Sequence, residues 1–275
     1  MGIVLGIDVG GSTTKIVGFS GGELLGTLQV RAADQITSLF GAIGNFLRER
    51  GAALGGVERI VLTGVGASYI DEPIYGIETR KVDEFLAIGH GALYLTGLRE
   101  ALVLSLGTGT AVVRAGAEGI THIGGSGVGG GTILGLASRM LNKSDIDAVI
   151  DLAESGRLEN VDLSVSDILG GNIPSLPPDL TAANFGKIKS AASEADLALG
   201  ILNMVFQTAG TLAVFAARND TIRDIVMIGM LSIFPQAHKM QETFRSLYGL
   251  NFIIPPHSVF ATAIGAGHFS FEEEK

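Results

Sequence analysis

Residues 3–8, 13–19 and 23–30 alternate or run apolar in the manner of strands, with Gly21-Gly22 marking the turn before the third. The period then lengthens to that of a helix, from Asp34, a residue suited to capping, to a stop at Gly51. A strand at 59–62, a short strand near 74–78 and a helix starting near Asp83 follow. At Ala101 the pattern restarts with two strands, a third around Ile120 and a helix over about 131–141. Further on come a long helix across 197–217, a strand at 225–228, a helix around 236–248, a strand at 252–254 and a last helix from Phe260. The order β-β-β-α-β-α thus occurs twice, which predicts an α/β fold of two similar halves, 1–97 and 98–275, with a cleft between them.

The stretch from about 142 to 190 does not fit the repeated unit. It holds an amphipathic helix over 145–154, with Ser144 as its cap, and a turn-rich run from Gly170 to Pro178. It reads either as an insertion that caps the cleft or as a plain connecting loop.

Composition narrows the class. With 47% hydrophobic and 17% charged residues over 275 positions, the chain is long and apolar enough to bury a large core. A formal net charge of -9 argues against nucleic acid, which requires clustered Lys and Arg, and favours a small-molecule partner. The absence of cysteine excludes disulfides, thiolate metal sites and cysteine nucleophiles. Without a basic flank or cleavage-like segment ahead of the first strand, a cytoplasmic location is expected. The uncharged run 197–217 would attract a hydropathy plot, yet Asn203, Gln207 and Thr211 recur every fourth residue, which predicts a buried helix, not a membrane span.

Candidate chemistry lies in the glycine turns. Ile7-Asp8-Val9-Gly10-Gly11-Ser12-Thr13-Thr14-Lys15 and Ser105-Leu106-Gly107-Thr108-Gly109-Thr110 each join an apolar strand to a β-branched one. Glycine lets backbone N–H groups approach a bulky anion. Ser12, Thr13, Thr108 and Thr110 add hydroxyls, Asp8 suits a hydrated divalent cation, and Lys15 a phosphate. Taken singly, Asp8 also reads as a capped strand end and Lys15 as a solvated charge. Two such turns together suggest a duplicated unit that grips a nucleotide from both sides. A third cluster, Gly124-Gly125-Ser126-Gly127-Val128-Gly129-Gly130-Gly131-Thr132, opens a helix; its glycines serve either an anion at the helix start or tight packing. Asp83 and Glu84 read from the residues alone as carboxylates that complement a helix dipole or as candidate bases. The five histidines are too scattered for a metal site.

In this order the residues resemble the fold family of actin, hexokinase and the 70-kDa heat-shock proteins. The first glycine turn is similar to that family's first phosphate loop, Gly107-Thr108-Gly109-Thr110 to its second, and Ile225-Val226-Met227-Ile228-Gly229 to the start of its adenosine motif. Within it, Gly107 to Thr110, Gly124 to Gly131, the octapeptide Asp179-Leu180-Thr181-Ala182-Ala183-Asn184-Phe185-Gly186 and the ending Ala263-Ile264-Gly265-Ala266 resemble type II pantothenate kinases over nearly the full length. The resemblance implies duplicated ribonuclease H-like, actin-like ATPase halves and transfer of the ATP γ-phosphoryl group to pantothenate, the first step towards coenzyme A. It implies Glu84, in the pair Glu84-Phe85, as the base, and Asp8 as the residue holding Mg²⁺. Gly10, Gly11, Ser12, Thr13, Thr14 and Lys15 would bind phosphates; Thr108, Gly109, Gly129, Gly130, Gly131 and Thr132 would meet the nucleotide; His122 and Thr110 would meet the acceptor. A homodimer, with coenzyme A or acyl-CoA as a possible feedback ligand, is implied too.

Two places depart from the family. His122 stands where arginine is usual, and histidine lacks arginine's bidentate fork. Met230-Leu231 follow Gly229 where small polar residues are usual. The alternatives are a degenerate member that binds nucleotide or a pantothenate-like or CoA-like ligand without kinase activity, and a kinase for another small hydroxy acid or sugar. Lack of cysteine sets the chain apart from sugar kinases with a cysteine-bound zinc and from activator ATPases that share an iron–sulfur cluster.

Overall fold

The structure is a computed structural model that describes residues 2–32, 34–169 and 177–272. Most of the turn-rich run from Gly170 lies outside the described residues. Strands β1 (Ile3–Val9), β2 (Thr13–Ser20) and β3 (Glu23–Arg31) form an antiparallel meander. Helix α1 (Gln35–Glu49) starts where the Asp34 carboxylate accepts a hydrogen bond from Thr37 N–H, the expected cap. Strands β4 (Val57–Thr63) and β5 (Glu78–Lys81) then extend the sheet parallel to β1, in the order β3-β2-β1-β4-β5. The strand expected near 74–78 begins later, because Tyr75 at φ 54° and Gly76 at φ 73° curl the chain into a 3₁₀ turn over Ile74–Gly76. Helix α2 (Glu84–Thr96) is capped by Asp83, which accepts from Phe85 and Leu86 N–H, and stops at left-handed Gly97.

The second sheet repeats this plan. Strands β6 (Ala101–Leu106), β7 (Thr110–Gly116) and β8 (Gly119–Ser126) form its meander. Helix α3 (Gly130–Leu141) follows, and then α4 (Ile146–Ala153), whose cap is Asp145, not Ser144: the longer carboxylate reaches Asp147 and Ala148 N–H. A two-stranded ribbon of β9 (Leu163–Ser164) and β10 (Thr181–Ala183), with the single turn α5 (Val165–Leu169), fills the segment before α6 (Glu194–Arg218). Strand β11 (Asp224–Ile228), α7 (Pro235–Tyr248), β12 (Asn251–Ile253) and α8 (Ala261–Glu272) complete the chain, giving the sheet order β12-β11-β6-β7-β8.

Three apolar layers hold these parts together. One face of the first sheet packs on α1 through Ile7, Ile16, Ile43 and Phe46, and the outer face of the second packs on α3, α6 and α7 through Leu104, Ile133, Ile201 and Met240. Between the sheets the helices are exchanged: α2, from the first half, lays Ile88 and Ala92 on the second sheet, while α8 lays Ala263 and Ala266 on the first. The two helices cross in close contact. A Cβ on Gly91 would overlap the carbonyl oxygen of Ala261, and one on Gly265 that of Ala87.

Helix α6 is long and apolar enough to cross a membrane, yet Ile201, Leu202, Val205, Phe206, Ala213 and Val214 are buried in the second core. Its polar residues face the ribbon: buried Asp162 accepts from Asn203 Nδ2 at 2.7 Å, Phe185 N–H at 2.9 Å and Thr181 Oγ1 at 3.1 Å, while Gln207 Nε2 donates to Thr181 O. The octapeptide is thereby fastened to α6, which a buried carboxylate achieves only when its oxygens are satisfied.

Candidate active site

In open α/β sheets ligands gather beyond the carboxyl ends of parallel strands, and Asp8, Lys15 and Glu84 come together near the end of β1. Asp8 is the penultimate residue of β1; Lys15 on β2 and Thr63 on β4 are its direct partners across the two neighbouring strands. Directly paired residues share a face, so Lys15, Asp8 and Thr63 form a row. Lys15 Nζ donates to Asp8 Oδ2 at 3.2 Å, with both side chains largely buried. Next to this row stands Gly64, at φ 84°, where a Cβ would come within 2.5 Å of Asp8 Oδ1.

Glu84 enters the same neighbourhood from the start of α2, which Val82 N–H ties to β4 through Leu62 O. Capping of α2 falls to Asp83, so the Glu84 carboxyl is not needed for it. Burial raises the Glu84 pKa, the negative charges of Asp8 and Asp83 raise it further, and Lys15 opposes them. A half-buried carboxylate of this kind is a stronger base than a solvated one.

The first glycine turn is open. Gly10 N–H is taken by Thr13 O, but Gly11 and Ser12 are exposed, and a Cβ on Gly11 would meet nothing within 4 Å. Thr14 is turned away: paired with Val9, it is buried on the α1 face, so only its backbone serves the turn. At the rim Arg31, paired with Thr13, donates to Asp145 at 2.8 Å and ties the segment 142–190 to the first sheet.

The second turn is closed. Gly130 N–H donates to Gly107 O and Gly131 N–H to Thr108 O, both at 2.9 Å, so α3 clamps the turn with two of the donors expected to await an anion. A Cβ on Gly129 would lie 2.6 Å from Thr108 O, and one on Gly109 2.8 Å from Ser126 O. The packing reading therefore accounts for Gly129 and Gly109. Thr110 was expected at the acceptor, but it is buried and donates its hydroxyl proton to Val128 O at 2.8 Å, which closes the turn. Thr108 stays exposed, and the Thr132 hydroxyl donates to Gly127 O and accepts from Gly129 N–H.

His122 on β8 comes to the start of α2 from the second sheet. Its ring stacks on Phe85 at 3.9 Å between centroids and 9° between planes, beside Glu84 in sequence. Beyond β11, Gly229 sits at φ 92° with its N–H on Ser258 O, and Ser232 and Ser258 hydroxyls meet at 2.8 Å. Leu231 is buried in the second core, so this departure from the family fills the interior.

Thr63 and Gly64 were not singled out by the sequence, whereas Ser105, which opens the second glycine turn, stands on β6 opposite Ala111 and Ile228. A small polar residue closing an apolar strand just before glycine was the available signal for the first two. Among the described residues no group of three His, Asp or Glu side chains assembles a complete metal cage. Asp8 and Glu84, with the Thr63 hydroxyl, offer hard oxygen donors, which fit a small divalent cation that keeps waters and arrives with phosphates.

Comparison with known proteins finds relatives over most of the chain. The family model described as Fumble matches residues 98–247. A type II pantothenate kinase of Bacillus cereus (strain G9842) is 30% identical over 234 residues, covering 82% of each chain. A type II pantothenate kinase of Staphylococcus saprophyticus subsp. saprophyticus is 27% identical over 276 residues, covering 96% of this chain and 99% of that one. Among solved structures, component A of (R)-2-hydroxyglutaryl-CoA dehydratase from Acidaminococcus fermentans has a TM-score of 0.70 at 16% identity, covering 99% of both chains. The activator of 2-hydroxyisocaproyl-CoA dehydratase from Clostridium difficile, with bound ADPNP, scores 0.70 at 14% identity, covering 98% of this chain and 95% of that one. These likenesses establish the duplicated, actin-like ATPase fold.

Proposed function

The chain belongs to the Fumble family of type II pantothenate kinases, and we propose that it phosphorylates pantothenate with ATP, the first step of coenzyme A biosynthesis. What supports the chemistry is the meeting of Lys15, Asp8 and Glu84 at one end of the first sheet's central strands. In the transfer, a bond forms between the acceptor's primary hydroxyl oxygen and the γ-phosphorus while the bond from that phosphorus to the β,γ-bridging oxygen breaks. Glu84 takes the hydroxyl proton, with a basicity raised by burial and by Asp8. Asp8 would hold Mg²⁺, which when bound draws charge from the phosphoryl oxygens. Lys15 orients Asp8 and adds positive charge beside the phosphates. Gly11 and Ser12 offer backbone N–H groups, and Ser12 and Thr13 hydroxyls, at an open tip closed at its base by Gly10, and Thr108 with the clamped start of α3 lines the nucleotide on the other side. His122, held flat on Phe85, meets the acid end of the acceptor.

The same proposal includes halves divided at residue 97 with an insertion over about 142–190, a cytoplasmic location, and a homodimer to which α6 contributes its exposed Phe215. Coenzyme A or its thioesters would act as feedback ligands in the acceptor pocket.

The test is a coupled ADP-release assay with purified protein, Mg-ATP and pantothenate, against a no-acceptor control and a panel of hydroxy acids and sugars. Pantothenate-dependent release well above control is expected. Release with another acceptor alone, or ATP binding without release, would overturn the assignment.

A further inference from the structure

Thr63 is fully buried, and its hydroxyl has no hydrogen-bond partner among the described residues. Such an orphan is costly, and valine, of the same shape, would remove the cost. Its place in the row is telling. On one side its strand pairs it with Asp8; on the other, Val82 N–H on Leu62 O leads directly into Glu84. The other orphaned threonine hydroxyl, on Thr14, belongs to the opposite face and does not share this neighbourhood.

Resting on the kinase reading above, we infer that Thr63 is a positioning residue for the hydrated cation held at Asp8. Magnesium keeps several of its waters, and each of these needs polar partners. Asp8 is engaged by Lys15 through Oδ2, while Gly64, lacking a Cβ, keeps Oδ1 unobstructed on its side, so a water on a cation held there takes its further contact from a neighbour. A hydroxyl both donates and accepts, so beside the Asp8 carboxylate it can serve a water in either sense without adding charge. Thr63 would hold a cation-bound water beside Asp8.

The test compares Thr63→Val, Thr63→Ser and wild type by calorimetric ADP binding across a magnesium titration, with thermal midpoints of the free proteins. Thr63→Val is expected to keep or raise the midpoint, to bind ADP normally without magnesium, and to need about 10-fold more magnesium to tighten binding, the effect of about one hydrogen bond. Thr63→Ser should restore the wild-type titration. An unchanged magnesium titration in Thr63→Val, or equal impairment in both variants with lowered midpoints, would overturn the inference. Should Thr63→Val not fold, Thr63→Ala against Thr63→Ser makes the same comparison. These readouts need no acceptor: magnesium-coupled ADP binding without pantothenate turnover would sink the kinase reading and leave Thr63 still tested.

Discussion

The two glycine turns share a topology and differ in nearly everything chemical. Each joins the first and second strands of a five-stranded sheet with the same order. In the first, Asp8 faces Lys15 and the tip is open; in the second, Ser105 faces Ala111 and the tip lies under α3. Duplication supplied two equivalent positions, and only one of them carries charge. The difference teaches that an active site in a pseudo-symmetric fold can place its ionic chemistry on one half and use the other as a rigid wall.

The sharpest way to break the comparison is at the base. Glu84→Gln should lower turnover by about 10²–10⁴-fold with little change in ATP binding, as kcat and nucleotide affinity would record. The same variant has a pH signature. A raised carboxylate pKa gives stability that is full below the unfolded value and lost as pH climbs through the folded one, so wild type is strained at neutral pH. Thermal midpoints should therefore favour Glu84→Gln near pH 7, with the gap closing in acid. Unchanged turnover would remove Glu84 from the mechanism.

A smaller effect separates the open turn from the closed one. Gly129→Ala forces a Cβ against Thr108 O and should destabilise by about 1–3 kcal/mol, whereas Gly11→Ala should leave the melting temperature nearly unchanged and act on nucleotide affinity alone. Equal losses of stability would erase the distinction. Smallest is the second sheet's reach towards the acceptor: His122→Arg should raise kcat/KM for pantothenate by about 3–10-fold, mostly through KM, since arginine presents a bidentate fork to a carboxylate. A fall would mean that the pocket is shaped around the imidazole.

Much of this was legible in the residues, and the limits have physical causes. Asp34 and Asp83 announced helix starts because a cap acts within its own turn, and strand patterns announced both meanders. The misplaced cap before α4 shows how adjacent Ser144 and Asp145 compete for one role. Glu84 and Asp8 were found through motifs, but Thr63 belongs to none; its meaning arises only when β4 is laid beside β1. Likewise the glycines at 129–131 look like an anion cradle until the hydrogen bonds from Gly130 and Gly131 show that they fasten a neighbouring turn. The Asp162 network joins residues far apart in the chain, which local periodicity does not reveal.

The exchange of α2 and α8 bears on how the molecule is made. While the polypeptide emerges from a ribosome, residues 3–96 can assemble their meander and dock α1, but Val4, Val17 and Phe19 on the other face await Ala263 and Ala266, which are synthesised much later. Long-range pairing of this sort slows folding and leaves apolar surface uncovered in the meantime. The core of the first half is thus completed only by the last helix of the chain, so covering this sheet face is tied to synthesis of the whole polypeptide.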